Sequence, residues 1–296
     1  MKISYKTEYG TYYNGLVEEI LLSQNFVKYK GKVNLIFTSP PFPLNKKKKY
    51  GNLNGDQYLN WLSDLAPKLS ELLTDDGSIV MEVGNSWQSG KPVMSTLSLK
   101  SLIAFQEKGN LELCQQFVWY NSAKLPSPAH WVNVLRIRVK DSFTHIWWMS
   151  KTPYPKANNK NVLKEYSQGM KDLLRTQKYN TNKRPSEHSI GLTSFLSNNN
   201  GAIPSNVITA ANTSVGKNYQ EYCVKNNLVL HPARMPIEIP KFFINFLTNE
   251  GDLVLDCFGG SNTTGEAAEL LKRKWIAVEP NEDYINGSRG RFIKTK

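Results

Sequence analysis

The feature that most limits what this chain can fold into lies near its carboxyl end. Leu253-Val254-Leu255-Asp256 is a short apolar run closed by an acid, and Cys257-Phe258-Gly259-Gly260-Ser261-Asn262-Thr263-Thr264-Gly265-Glu266 follows at once. Ala267–Lys272 then reads as a helix, Trp275–Val278 as a second buried strand, and Glu279 ends that strand. Strand, glycine turn, helix, strand and terminal acid together describe a nucleoside-binding βαβ unit. Glycines let backbone come close to a ligand, and an acid about 20 residues further on can accept both ribose hydroxyls. Glu279 lies 23 positions after Asp256. The turn is not GxGxxG, and the helix start carries hydroxyls and a glutamate, with Thr263 and Glu266 at capping-box spacing. A ligand without a pyrophosphate at that helix is therefore preferred over a dinucleotide. S-adenosylmethionine, a nucleoside bearing an amino acid, meets the requirement. An ordinary glycine-rich β–α turn with an exposed glutamate is the plainer reading of the same residues.

A second strand edge sits near the other end of the chain. Val33-Asn34-Leu35-Ile36-Phe37 reads as a buried parallel strand, and Thr38-Ser39-Pro40-Pro41-Phe42 ends it. Neither proline can donate to a sheet ladder, so the strand must stop there. Pro40 precedes another proline and is biased away from helix, which leaves its carbonyl free. A hydroxyl, a free carbonyl and an aromatic ring then share the carboxyl edge of a strand, where open α/β sheets bind ligands. By themselves these five residues describe a proline-terminated strand equally well.

Between the two edges, Asp56–Leu73 shows helical spacing of leucines, with Pro67 expected to kink or break the helix. Asp75-Asp76-Gly77 predicts a turn and Ser78–Val83 a strand whose end, Glu82-Val83-Gly84-Asn85, has the polar-plus-glycine character of a ligand-binding strand edge but reads first as an ordinary turn. A helix over Leu99–Lys108 and a strand over Leu113–Tyr120 follow. Leu135–Val139 and Phe143–Met149 predict an antiparallel hairpin turning at Lys140-Asp141-Ser142, placed at one edge of a mostly parallel sheet. Residues 1–32 are mixed, with a helical pattern in Leu16–Leu22, and Glu238–Leu247 predicts a further helix.

Charge separates the middle of the chain from its flanks. The formal net charge is +12, and residues 151–235 hold 12 lysines and arginines against 4 acids, so +8 of it lies there. Such a basic balance favours a polyanionic partner, nucleic acid before anionic membrane. The stretch is rich in Asn and Ser and poor in apolar runs. That suits either a solvated insertion or a module in which Lys and Arg position phosphates and polar side chains read base edges. Lys46-Lys47-Lys48-Lys49 is a solvated loop or a phosphate contact. Cys114, Cys223 and Cys257 form no CxxC pair, so neither a disulfide framework nor a zinc site is expected. Met1–Gly10 lacks the apolar core of a signal peptide, and no apolar run nears the ~20 residues of a membrane span. A soluble cytoplasmic protein, associated with the nucleoid through DNA, is expected.

Three stretches in order, Thr38-Ser39-Pro40-Pro41-Phe42, His231-Pro232-Ala233-Arg234-Met235-Pro236 and Asp256–Thr264, resemble the motifs of the amino-methylating DNA methyltransferases. Ser-Pro-Pro-Phe is similar to the cytosine-N4 branch, whereas adenine-N6 enzymes usually carry Asp or Asn at the serine position. Catalytic motif first, basic insertion next and cofactor motif last is the permuted, beta-type order. Lys124-Leu125-Pro126-Ser127-Pro128, Ile137–Asp141, Trp147-Trp148 and Arg184-Pro185-Ser186 also look like a member of this branch, so the resemblance spans nearly the whole chain from about Tyr9.

The resemblance implies an α/β, Rossmann-like S-adenosylmethionine-dependent methyltransferase. Its catalytic half would be residues 1–150, its target-recognition insertion 151–230 and its cofactor-binding half 231–296. It implies catalysis by Ser39, Pro40, Pro41 and Phe42. The Ser39 hydroxyl and Pro40 carbonyl would accept hydrogens of a flipped cytosine's amino group, and Phe42 would stack on the base. Cofactor contacts fall to Asp256, Phe258, Gly259, Gly260, Ser261, Asn262, Thr263 and Glu279, with His231, Pro232 and Arg234 near the methionine end. Asn262 replaces a glycine common in the wider family, and Asn tolerates left-handed backbone. Lys46, Lys47, Lys48, Lys49, Lys124, Lys183 and Arg184 are the candidate contacts to double-stranded DNA. No metal is implied, and a restriction endonuclease acting on the same sequence is the expected companion. Carbon-5 methylation needs a thiolate, typically in Pro-Cys, and no cysteine here follows a proline. Adenine-N6 transfer on the same scaffold and a non-catalytic DNA-binding relative are the competing readings.

Overall fold

The computed structural model describes residues 2–42, 55–178, 195–212 and 216–293. Lys46, Lys47, Lys48, Lys49, Lys183 and Arg184 lie outside the described residues. In chain order the strands are β1 (Lys2–Lys6), β2 (Gly10–Asn14), β3 (Val33–Thr38), β4 (Leu73–Gly84), the short β5 (Ser86–Trp87) and β6 (Met94–Ser95), β7 (Glu112–Tyr120), β8 (Phe143–Ser150), β9 (Val207–Thr209), β10 (Leu253–Asp256) and β11 (Lys274–Glu279). Nine of them form one sheet in the order β1-β2-β11-β10-β3-β4-β8-β7-β9, and β5 pairs with β6.

From β2 to β4 the neighbours run parallel, so Asn14, Glu279, Asp256, Thr38 and Gly84 all end at one edge. Both faces of these strands are apolar, as expected for a parallel sheet covered on each side. Ile36, Ile79, Met81, Leu255, Ile276 and Val278 point into one core with Leu62, Leu65, Leu69, Leu102 and Phe105. Leu35, Phe37, Val80, Val254, Trp275 and Ala277 point into the other with Ile239, Phe243, Ile244, Leu247 and Ala268. The helix Gly55–Leu72 follows β3 and leads to β4, and the helix Thr263–Leu270 follows β10 and leads to β11. These two units diverge from the β3–β10 pair, and that divergence makes a topological switch point, the crevice in which α/β sheets bind ligands.

Several local expectations need correction. The antiparallel hairpin is built from β7 and β8, not from Leu135–Val139, and β8 also pairs antiparallel with β4. The apolar-basic alternation of 135–139 mimics a strand, but Arg136 sits at φ 53 and interrupts any extended run. The helix Gly55–Leu72 runs through Pro67 because its buried stripe of Leu62, Leu65, Ala66, Leu69 and Leu72 outweighs one lost backbone bond. Asp75–Gly77 is a bulge within β4, where the pairing shifts from Val33 with Leu73 to Leu35 with Ser78. Residues 2–14 contain two strands, the second extending the parallel sheet past β11. The cap of the helix Thr263–Leu270 is Asn262, whose Oδ1 accepts the Gly265 amide at 3.1 Å, so Thr263 and Glu266 form no capping box.

The described chain divides into a large unit of residues 1–157 and 206–296 and a smaller one, Asn158–Ser205. The smaller unit carries the helix Gln168–Thr176, capped by Ser167 Oγ accepting from the Met170 amide at 3.3 Å, and a bridge between Lys164 and Ala202. It lies within the basic 151–230 stretch. Among the described residues, no helix is long and apolar enough to cross a membrane.

Candidate active site

A cavity of about 1070 Å³ opens at the carboxyl edge of the parallel strands. Its walls come from both chain ends because β3 and β10 are hydrogen-bonded neighbours, Leu35 opposite Val254 and Ile36 opposite Leu255. Ser39, Pro40, Pro41, Phe42, Lys124, His231, Pro232, Arg234, Asp256, Phe258, Gly259, Gly260, Ser261, Thr263 and Glu279 all line it. Asn262 does not. Its fully buried side chain caps the following helix and donates Nδ2 to Tyr5 Oη at 3.1 Å, and its φ of 60° lies in the left-handed region.

On the β10 side the loop is held from several directions. Asp256 accepts from Thr264 Oγ1 at 2.6 Å, from Thr38 Oγ1 at 2.8 Å and from the Phe258 amide at 3.1 Å. Burial raises its pKa above the usual carboxylate value, and those three donors oppose the rise. Its acceptors are directed at protein, so Asp256 positions the loop. Tyr12 Oη donates to the Gly260 carbonyl at 2.8 Å, and a Cβ on Gly259 would stand 2.7 Å from that same hydroxyl. Gly260, at φ +49, would place a Cβ 2.9 Å from His231 Nε2, so a side chain there would collide with the His231 wall. Buried Arg291 pairs with Glu266 at 2.6 Å and donates Nη2 to Ser261 Oγ at 2.9 Å, tying the loop to the short helical turn Arg289–Arg291.

Glu279 Oε2 accepts the Gly260 amide and Oε1 the Asn281 amide, each at 3.0 Å. Burial pushes its pKa up to about 7 against those two amides, with Asp256 adding to the rise. Each oxygen keeps a lone pair for a ligand. The Phe258 ring meets Trp61 at 5.7 Å between centroids, and Trp61 Nε1 donates to Glu18 Oε1. Arg234 Nη1 is buried without a hydrogen-bond partner among the described residues, although the arginine borders the cavity. These groups fit a nucleoside carrying an amino acid: an aromatic wall for a base, a carboxylate for ribose hydroxyls and a guanidinium for an α-carboxylate. Among the described residues, no group of three or more His, Cys, Asp or Glu could hold a metal ion.

On the β3 side, Ser39 Oγ donates to Glu82 Oε2 at 2.6 Å. Glu82 stands on β4, is 2% exposed and belongs to the same cavity wall. Burial lifts its pKa to about 7, opposed first by the Ser39 hydroxyl and more weakly by the charge of Lys124. Because that hydroxyl spends its hydrogen on the carboxylate, the oxygen is left as an acceptor. Phe42 packs over the end of β4, where a Cβ on Gly84 would stand 2.7 Å from its ring. Lys124 Nζ is 3.0 Å from Asp141 Oδ2, and Asp141 Oδ1 accepts Asn85 Nδ2 at 2.9 Å. Lys124 is thus an ion-paired wall residue.

The sequence reading missed Tyr12, Trp61, Arg291 and the partnership of Glu82 with Ser39. Glu82 at a strand end was the only one with a local signal, an acid two residues before glycine.

The DNA methylase family pattern matches residues 33–289. Type II methyltransferase M.PvuII of Proteus hauseri is 40% identical over 99% of this chain and 86% of its own. M.HpaI of Haemophilus parainfluenzae is 25% identical over 93% of this chain and 74% of its own. Among solved structures, the PvuII DNA methyltransferase (cytosine-N4-specific) superposes with a TM-score of 0.80 at 35% identity, covering 100% of this chain and 90% of that one. The M1.HpyAVI–SAM complex, at 18% identity, shares the fold with a TM-score of 0.57 over 96% of this chain and 100% of that one. A mostly parallel sheet, a glycine loop facing a proline-rich strand end, and these relatives lead to one conclusion: the chain belongs to the DNA methylase family.

Proposed function

We propose that this enzyme transfers the methyl group of S-adenosylmethionine to the exocyclic N4 of a cytosine flipped out of duplex DNA. The observation that carries this reading is the 2.6 Å bond from Ser39 Oγ to buried Glu82 Oε2, inside the cavity bordered by the Phe258–Thr263 loop and Glu279. The bound cofactor supplies an electrophilic methyl on a sulfonium.

Cytosine N4 is a weak nucleophile because its lone pair is delocalised into the ring. Ser39 Oγ, already oriented by Glu82, accepts one amino hydrogen, and the Pro40 carbonyl accepts the other. Two acceptors fixed before reaction favour a pyramidal nitrogen and cost no reorganisation during transfer. As N4 gains the methyl it must lose a proton. Ser39 Oγ can take that proton while passing its own to Glu82 Oε2, which has a pKa near neutrality. Phe42 supplies a face for the flipped base. Glu279 holds the ribose hydroxyls, Phe258 packs on the adenine, and His231, Pro232 and Arg234 form the methionine end. Gly259, Gly260, Ser261 and Thr263 complete the cofactor wall, and Asn262 and Asp256 keep the loop in shape. The basic stretch that includes Asn158–Ser205 is the target-recognition module.

The 40% identity to a type II modification enzyme supports a role beside a restriction endonuclease acting separately on the same sequence, in the cytoplasm and on the nucleoid. Digesting methylated DNA to nucleosides and identifying the product by mass spectrometry tests the reading. N4-methylcytosine is expected. N6-methyladenine alone overturns it in favour of adenine transfer on the same scaffold, and no methylated product with tight cofactor and DNA binding indicates a non-catalytic relative.

A further inference from the structure

Residues 121–142, between β7 and β8, form an ordered loop with an exposed aliphatic tip. The neck is closed where Asn121 N donates to Ser142 O at 2.8 Å and Lys140 Nζ to Ser122 O at 2.9 Å. Inside it, Leu135 N donates to His130 O at 2.9 Å and Ile137 N to Trp131 O at 3.0 Å. Arg138 Nε donates to Pro92 O at 2.8 Å and braces the loop against the turn between β5 and β6. A segment held this way does not collapse to hide its apolar side chains. Val134 is 68% exposed, Leu135 47%, Ile137 49% and Val139 86%. Four large aliphatics exposed within six residues form a patch of the kind that marks an interaction site.

Charge and position identify what the patch meets. Residues 121–140 contain Lys124, Arg136, Arg138 and Lys140 and no acid, and the first acid after them, Asp141, is paired with Lys124. Arg136 and Arg138 alternate with the aliphatic side chains, which suits a surface that is anionic outside and apolar between stacked layers. Duplex DNA is such a partner. The flanks of the loop, Lys124, Ser127, Pro128, Asp141 and Ser142, line the cavity that holds Ser39, so the tip is carried on segments that border that cavity. Aliphatic side chains pushed between base steps unstack them and are a common means of distorting a duplex.

We propose that the tip Val134–Val139 enters the DNA stack beside the target and occupies the space left by the flipped base, with Arg136 on an adjoining phosphate and Arg138 keeping the tip braced. This rests on the base-flipping methyltransferase reading above.

The test compares single-turnover methylation by the wild type and an Ile137→Ser/Val139→Ser variant on two duplexes. One carries the site that the wild type methylates, and the other is identical except for an abasic position opposite the target base. The variant is expected to lose roughly 10-fold or more on the matched duplex, because unstacking a base costs a few kcal/mol. It should lose less than about 3-fold on the pre-opened duplex, where that cost is already met. Cofactor affinity and elution volume should match the wild type. Equal losses on both duplexes, or none on either, overturn the proposal. Loss of activity together with a change from dimer to monomer assigns the patch to a second copy and also overturns it. Val139→Ser alone, at the most exposed position, repeats the comparison if the double variant misfolds. Failure of the wild type to methylate any DNA is a separate result, and it removes the underlying reading instead.

Discussion

Thr38 donates its hydroxyl to Asp256 Oδ1 across 2.8 Å and 218 residues of sequence. The residue on one side begins the Ser-Pro-Pro-Phe turn, and the residue on the other begins the glycine loop. One hydrogen bond therefore sets the spacing between the two turns that face each other across the cavity, the proposed base-holding and cofactor-holding walls. Thr38 is fully buried, so no water replaces the bond if it is lost. Thr38→Val should destabilise the protein by about 1–3 kcal/mol, the cost of a buried acceptor left short of a partner. It should also weaken S-adenosylmethionine binding. Urea unfolding and calorimetric titration check the two effects, and a change in stability with unchanged cofactor affinity would confine Thr38 to packing.

Ser39→Ala removes the proposed acceptor for the amino group without opening a large void. Methyl transfer in a single turnover should slow by roughly 10²-fold, as loss of a preorganised polar group often causes. Cofactor and DNA affinities should stay within a factor of about three, since the hydroxyl acts mainly in the transition state. Unchanged turnover would remove Ser39 from the chemistry.

In the proposed mechanism Glu82 sets an acid limit on the rate. Its pKa is near 7, and below that value a protonated carboxyl orients the Ser39 hydroxyl poorly and cannot take up a proton. The first-order rate should fall as pH decreases through about 7 or somewhat lower, because the positive charge of the bound sulfonium stabilises the carboxylate. Glu82→Gln should be slow at every pH and lack that limb. Persistence of the limb in the variant assigns it to another group.

Glu279 links ligand binding to stability in the opposite direction from most carboxylates. Its folded-state pKa is raised from 4.5 to about 7, so the folded form holds a proton that the unfolded chain has released. The associated stability is complete below about pH 4.5 and is lost as pH rises through 7. Glu279→Gln should flatten that part of the curve and, in cofactor-free protein at pH 8, gain up to about 2 kcal/mol once a weakened amide bond is subtracted. Cofactor affinity should drop at the same time. Denaturant midpoints from pH 5 to 8 measure the first effect and titration the second. A variant with the wild-type slope would place the raised pKa elsewhere.

What could be read from the sequence follows the range of each interaction. Strand, turn and acid signals are local, so Leu253–Asp256, the helix Glu238–Leu247 and the strand ends at Ser39 and Glu279 are visible along the chain. Bonds such as Tyr12 to Gly260, Arg291 to Ser261 and Thr38 to Asp256 join residues that only the sheet order makes neighbours. Glu82 lay between these cases. Its strand and its position at the end were legible, but its partner was set by β3 pairing parallel to β4. Leu135–Val139 shows the converse error, since alternation matches a strand without stating whether a partner strand is available. Here the alternating aliphatics face solvent and Arg136 takes a left-handed backbone.

The pairing of β3 with β10 also has a consequence in time. During synthesis the Ser-Pro-Pro-Phe turn and the basic stretch leave the ribosome well before β10, the glycine loop, Glu279 and Arg291. Until then β3 lacks its neighbour on one side, Asp256 is absent from Thr38, and no cofactor wall exists. A nascent chain that stops short of β10 carries Ser39 and the basic stretch but lacks the facing wall of the cavity. The order of segments thus delays closure of this cavity until translation has passed Arg291.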